Sequence, residues 1–457
     1  MIERLGASFR DPSGFVYVMD GTLYRRVEKS YAAHYDLLMQ SGLYQVLVDN
    51  RWLIPHDEAA APYAHVVLRP RRVPYVSYPY EWCFTQLKDA ALLTLDILTL
   101  SLSFNMILKD ASAYNVQFIG ARPVFIDTLS FETYVDGAPW VAYRQFCEHF
   151  LGPLALMAHG DVRLRQLLSR FIDGIPLDLV SRLLPWRTRL RYGLFAHLHL
   201  HAGSQQRHRD DASTGERPRI PPLPKTRLVA LIDSLRETVR GCRLPEARTE
   251  WSEYYDETNY SADAMAAKED LVRRLVEEIA DPAALTHDLG GNTGRFSRLI
   301  AGRDRYVVSH DIDELAIERG YTAGKRAANE HVLPLILDLA NPSPAIGWAL
   351  EERSSALERI AGGNVIALAL VHHLAISNNV PLPQLASLFA RLAKTLVIEF
   401  VPKEDSQVRR LLATREDIFP GYTAAAFEAE FARFFDVAQR HPVPGTVRTL
   451  YAMRRRA

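Results

Sequence analysis

Leu285-Thr-His-Asp-Leu-Gly-Gly-Asn-Thr-Gly-Arg-Phe-Ser-Arg-Leu-Ile300, followed by Tyr306-Val-Val-Ser-His-Asp-Ile-Asp313, decides the fold. A short strand is expected to end at Asp288, and a glycine-rich turn over 290–294 feeds a helix with Phe296, Leu299 and Ile300 on its apolar side. A second apolar strand, starting at Tyr306, stops at Asp311. Two parallel strands joined by a helix, with bare backbone at the first turn, form a nucleotide-binding crevice. Glycine allows the bend because it lacks a Cβ, so a ligand can press against the main chain.

A dinucleotide site reads G-x-G-x-x-G and sets a pyrophosphate on the helix N-terminus. Gly290, Gly291 and Gly294 do not have that spacing, and Asp288 stands two residues before the first of them. An acid aimed at the turn repels a pyrophosphate but suits a ligand carrying an ammonium and a sulfonium. On these residues the stretch resembles the first motif of class I S-adenosylmethionine-dependent methyltransferases, with Asn292 in place of the usual middle glycine. Asn tolerates left-handed backbone better than most residues. The resemblance implies that Asp288 and the loop Gly290, Gly291, Asn292 and Gly294 hold the amino-acid part of the cofactor. It implies that Asp311, with Ile312 after it, meets the ribose, and that Asp338 and Leu339 lie by the adenine.

The downstream chain continues the pattern. Val332–Asp338 is a third strand ending in an acid, and Asn364–Leu374 an apolar run of the kind buried on both faces of a parallel sheet. A fifth strand begins at Thr395 and ends near Glu399, and two last runs, Phe435–Val443 and Val447–Met453, flank Pro444-Gly445. The family's sheet is mostly parallel with an antiparallel last strand, so the match spans residues 251–457. Ligands of doubly wound sheets sit beyond the carboxyl ends of the strands. His372, His373 and Glu399 fall there and are the candidate base and orienting acid for methyl transfer to a hydroxyl, with Ser377-Asn-Asn and Lys403-Glu-Asp on the following loops expected to line the acceptor site. The apolar residues of Lys268–Ile279 recur at helical spacing; the resemblance implies that this helix covers the crevice and makes Trp251, Tyr254, Tyr255 and Tyr260 candidates for a lid.

Four hundred and fifty-seven residues are too many for one ordinary domain. The expected division is an α+β domain over 1–201, a linker rich in proline and polar residues over 202–225, and the methyltransferase domain over 226–457. In the first, Asp20-Gly21 between two β-prone runs signals a hairpin. A helix is expected from Glu81 to about Leu108; it is too interrupted by Asp96, Asn105 and hydroxyl residues to span a bilayer. Asp110, Asn115 and Asp127 follow in the order of the catalytic loop and metal-binding acid of protein-kinase-like phosphotransferases, which the stretch resembles. Lys109 and Leu108 replace the usual His-Arg, Thr128-Leu129 replaces Phe-Gly, and upstream neither a phosphate-gripping lysine nor a glycine-rich loop stands out.

The 54 basic and 54 acidic residues cancel, which favours neither nucleic acid nor an acidic membrane as partner. Cys83, Cys147 and Cys242 make no metal-type pair, and with an opening that lacks an apolar signal core they fit a cytoplasmic protein. His197, His199 and His201 alternate without an acid or cysteine at ligand spacing, so no metal site is expected. The sequence therefore predicts an α/β methyltransferase preceded by a kinase-like α+β domain that binds substrate or partner. Its acceptor is a small molecule or carbohydrate. Alternatives are a chain with a second, phosphotransferase activity in residues 1–200, a non-catalytic cofactor-binding scaffold, and a nicotinamide oxidoreductase.

Overall fold

The structure, a computed structural model, describes residues 2–59, 63–200, 222–245, 261–413 and 416–456. The expected lid aromatics at 251, 254, 255 and 260, His201, and residues 202–221 of the expected linker lie outside the described residues. Two compact units are present. One comprises Met1–Phe118, Pro123–Glu246 and Ala345–Arg353; the other comprises Ile119–Arg122, Ala247–Pro344 and Ser354–Ala457.

The first unit carries a five-stranded antiparallel sheet in the order β1-β2-β3-β5-β4, from Ile2–Arg4, Gly14–Met19, Thr22–Val27, His56–Ala59 (β4) and Val66–Pro70 (β5). The hairpin β2–β3 turns at Asp20 and Gly21, both at positive φ (50° and 76°), as an Asp-Gly turn between twisted strands requires. Helix α1, Ala32–Gln40, lies between β3 and β4, and Tyr31 and Tyr35 pack on Val27, Val66 and Leu68 of the sheet. Helix α2 runs over Phe84–Ser103, five residues short of the expected end at Leu108. Asn105 adopts φ 56°, which an α-helix cannot accommodate, and Met106–Leu108 (β6) becomes a strand paired with Phe131–Thr133 (β9). Between them lie β7, Val116–Ile119, and β8, Arg122–Phe125.

Helix α3, Lys225–Gly241, was expected with the methyltransferase domain but belongs to the first unit. Leu228, Ile232, Leu235 and Val239 are buried on one face, and Arg236 reaches Asp96 of α2 at 3.0 Å. Among the described residues no helix is long and apolar enough to cross a membrane.

In the second unit seven strands form one sheet in the order β12-β11-β10-β13-β14-β16-β15. They are β10 Thr286–Leu289, β11 Val307–Asp311, β12 Val332–Ile336, β13 Gly363–Ala367, β14 Ala393–Phe400, β15 Phe435–Pro442 and β16 Thr449–Arg455. The first five are parallel, and β16 inserts antiparallel between β14 and β15. Helix α4, Ala262–Ile279, is capped by Ser261, whose side chain accepts from Ala264 N. It lays Val272, Leu275 and Val276 on Val307, Ile366, Val397, Leu450 and Ala452. The alternate residues Val365, Ala367, Leu396, Ile398, Tyr451 and Met453 face the other way, onto Leu385 and Phe389 of α7, Leu382–Leu392, and onto Phe427 and Phe431. Apolar side chains on both faces explain why these strands read as unbroken hydrophobic runs. Helices α5, Arg295–Ile300, and α6, Glu314–Arg326, follow β10 and β11. The order reverses between β10 and β13, and the crevice opens there.

Candidate active site

The crevice begins where β10 stops. Gly290 (φ 77°) and Asn292 (φ 51°) take left-handed backbone, and the amides of Gly290 and Gly291 both donate to the His310 carbonyl at 2.8 and 2.9 Å, which locks the loop onto β11. A Cβ on Gly291 would lie 2.4 Å from Ser309 Oγ and 2.9 Å from Asp288 Oδ2, so the loop has no space for a side chain there. Asp288 is buried, and its Oδ2 accepts from Ser297 Oγ at 2.6 Å. Burial raises its pKa to about 6, against the opposing hydrogen bonds of Ser297.

Asp311, at the end of β11, uses one oxygen to accept from the Asn292 amide at 2.7 Å and the other from the Asp313 amide at 2.8 Å. Burial again raises its pKa to about 6, with the Asp313 and Asp288 charges adding to the effect. Asp338, beyond β12, accepts from Ala340 N at 2.8 Å. Asp288, Gly290, Gly291, Asn292, Asp311, Ile312, Asp338 and Leu339 all line one cavity of about 300 Å³. Gly294 does not. It sits at φ 77° as the N-cap of α5, where it turns the chain into the helix.

Of the three catalytic candidates, His373 borders this cavity, beside Ser377 and Asn378. His372 is 1% exposed, its ring centroid 4.1 Å from that of His373, and its Nδ1 is buried without a partner. Burial lowers both imidazole pKa values, that of His373 to about 4, so both rings are neutral near pH 7. Glu399, fully buried near the end of β14, accepts through Oε2 from Lys268 Nζ at 2.7 Å and from the Ala369 amide at 2.8 Å.

Lys268 was not singled out as a site residue from the sequence, although it lines the cavity. The signal was present: it stands on the buried stripe of α4 that holds Met265, Leu271, Val272 and Leu275. Desolvation lowers its pKa and the Glu399 carboxylate raises it. His310, another unflagged residue, lines the cavity and stacks on His287, their nitrogens 3.1 Å apart.

Three carboxyls at strand ends make this crevice suited to a cation and hostile to a diphosphate. Ile312, Leu337, Leu339, Leu368 and Leu370 supply apolar walls for a planar base. The narrow Gly290–Asn292 turn and the acids beside it fit the aminoacyl and ribose ends of S-adenosylmethionine.

No family model matches the chain. It is 35% identical over 465 residues, 99% of this chain and 96% of the other, to nodulation protein NoeA of Rhizobium meliloti (strain 1021). The chain is a class I S-adenosylmethionine-dependent methyltransferase of the NoeA family. Solved structures resemble it more distantly. Magnesium protoporphyrin IX methyltransferase from Synechocystis PCC 6803 with bound S-adenosylhomocysteine is 17% identical, over 44% of this chain and 91% of that one, at a TM-score of 0.31. The PH0226 protein from Pyrococcus horikoshii OT3 is 16% identical, over 46% and 100%, also at 0.31. Likenesses this remote carry no weight beside the strand order and the loop geometry.

The NoeA-family chain also brings Asp110, Asn115 and Asp127 together in its first unit. Asp110 accepts from the Ser112 amide at 2.9 Å, and its pKa is raised by burial and then by the Asp127 charge. Asn115 Nδ2 donates to Ser130 Oγ, which itself donates to Asp127 at 2.6 Å. Arg25 on β3 bridges Asp127 at 3.0 Å and Asp11 at 2.5 Å. No group of three or more His, Cys, Asp or Glu is placed to hold a metal among the described residues. His197 spans Tyr143 Oη and Ser234 Oγ, and His199 spans Ser181 Oγ and Thr188 Oγ1.

Proposed function

We propose that this cytoplasmic enzyme methylates a hydroxyl of a small-molecule or carbohydrate acceptor, with His373 as the general base. The observation that carries the reading is the position of His373, a neutral imidazole in the wall of the same cavity as Asp288 and Asp311. The cofactor, when bound, supplies a methyl group on a sulfonium and leaves as a neutral thioether. Alignment of the acceptor oxygen and exclusion of water then account for most of the acceleration, and proton removal by a positioned base adds about 10²- to 10⁴-fold. Ser377 and Asn378 offer hydrogen bonds to the acceptor beside that base. Lys268, held by Glu399, offers a cation to the cofactor carboxylate. Three free, buried cysteines accord with a reducing compartment.

We further read the first unit as a kinase-like fold that binds acceptor or partner. Support comes from its order of elements: a five-stranded sheet with a helix after the third strand, a long helix, then β6, Asp110, β7, β8, Asp127 and β9. Phosphoryl transfer is not part of this reading, because Arg25, Ser130 and the Leu129 amide occupy the oxygens of Asp127 that would face a divalent cation. The test is incubation with methyl-labelled S-adenosylmethionine and cell extract. A labelled small molecule or saccharide is expected, with labelling lowered about 10²- to 10⁴-fold by His373→Ala while affinity for S-adenosylhomocysteine holds. Undiminished labelling by that variant removes His373 from the mechanism, and label on polypeptide or nucleic acid removes the acceptor class.

A further inference from the structure

The stretch Arg182-Leu-Leu-Pro-Trp-Arg-Thr-Arg-Leu-Arg-Tyr192 has an unusual surface. Trp186, Leu190 and Tyr192 are 75%, 76% and 81% exposed, and Leu183 is exposed beside them. Their outward aim follows from how the segment is pinned. Thr188, in the middle of the short helix Trp186–Leu190, is buried, donating to the Pro185 carbonyl and meeting His199 Nε2 at 2.9 Å. His199 Nδ1 meets Ser181 Oγ at 2.8 Å, so one imidazole ties the start and the middle of the segment to the helix behind it. Leu184 and Leu194 point inward as well. With those positions spent on anchoring, the aromatic, leucine and arginine side chains between them face water.

No Asp or Glu occurs from Leu179 to Leu200, and four arginines do. Arg182 pairs with Asp178 at 2.8 Å. Arg187, Arg189 and Arg191 have no acidic partner among the described residues, and their charges lower the pKa of His159 (Arg191, Arg187) and His199 (Arg189) below what burial alone would do. We propose that this surface seats the protein on an anionic lipid bilayer, Trp186, Leu190 and Tyr192 entering the interface and Arg187, Arg189 and Arg191 meeting the headgroups. Exposed large apolar groups interleaved with cations are what an interfacial segment needs, and aromatic rings favour the headgroup level. A second copy is the poorer occupant, since a two-fold contact would set these arginines against themselves. Stacking on bases would leave Leu183 and Leu190 without a role. Such a surface makes a peripheral membrane protein of a chain that has no net charge and, among the described residues, no helix long and apolar enough to cross a membrane.

The test is sedimentation of the full chain with vesicles of phosphatidylcholine alone or mixed equally with phosphatidylglycerol. The mixed vesicles are expected to bind about tenfold or more of the protein bound by the neutral ones. Trp186→Ser with Leu190→Ser lowers binding to both, and Arg187→Gln with Arg189→Gln abolishes the preference, while affinity for S-adenosylhomocysteine stays as in the parent. Absence of vesicle binding by the parent chain, or binding by both variants that equals the parent's on both kinds of vesicle, overturns the proposal. So does a dimeric mass in light scattering that the Trp186→Ser/Leu190→Ser variant loses, because the patch then belongs to a second copy.

Discussion

Asp288 and Asp311 are held at pKa values near 6 by burial, about two units above an ordinary aspartate. Below that pH each is neutral and offers little to a sulfonium or an ammonium; above it each is an anion inside the protein. Affinity for S-adenosylmethionine is therefore expected to be level from pH 7 to 8 and to fall below pH 6, by about tenfold per pH unit for each proton that binding expels. Titration calorimetry across pH 5 to 8 measures it. Asp288→Asn should weaken binding about ten- to a hundredfold at pH 7.5 and flatten the slope. A raised carboxyl pKa also means that the folded, ligand-free protein holds protons the unfolded chain has released. That stabilisation is full below about pH 4 and disappears as pH rises through 6. A binding curve unchanged between pH 5 and 7 would remove both carboxyls from the cofactor site.

Helix α4 and strand β14 are joined inside the second unit by Lys268 and Glu399, 3% and 0% exposed. Breaking such a pair from one side leaves a buried charge and costs about 3–5 kcal/mol, whereas removing both charges costs much less. Lys268→Met is thus expected to lower unfolding stability in urea by that amount, and Lys268→Met with Glu399→Gln to recover most of it. Equal losses in the single and double variants would show that the pair contributes nothing specific. No local pattern could have revealed this partnership, because 131 residues separate its members. What sequence does carry is local: apolar runs ended by acids at 288, 311 and 338, the glycine turn, and the Asp20-Gly21 hairpin were all readable because each is dictated by neighbouring side chains. The expected helix to Leu108 failed at Asn105, where a single left-handed residue outweighs the periodicity around it. Glu399 was placed correctly at its strand end, but which partner it takes is a tertiary fact.

At the scale of the molecule, the cavity gathers Met265 and Lys268, the 288–292 loop, His310 to Ile312, Leu337 to Leu339, and Leu368 to Asn378. These segments are scattered over more than a hundred residues and meet because four parallel strands, β10 to β13, end along one edge of the sheet, beside α4. A ligand that touches all of them couples their opening. Saturation at a hundred times Kd stabilises the bound state by about 2.7 kcal/mol, and amides that exchange by opening the crevice should slow by about a hundredfold. Hydrogen exchange with and without S-adenosylhomocysteine is expected to show protection in these five segments together. Arg454–Arg455 at the far end of β16, and the hairpin at Asp20-Gly21 in the first unit, should remain unaffected. Protection limited to the 288–294 turn would mean that the ligand rests on the glycine loop alone and that the walls from Leu337 to Asn378 serve some other molecule.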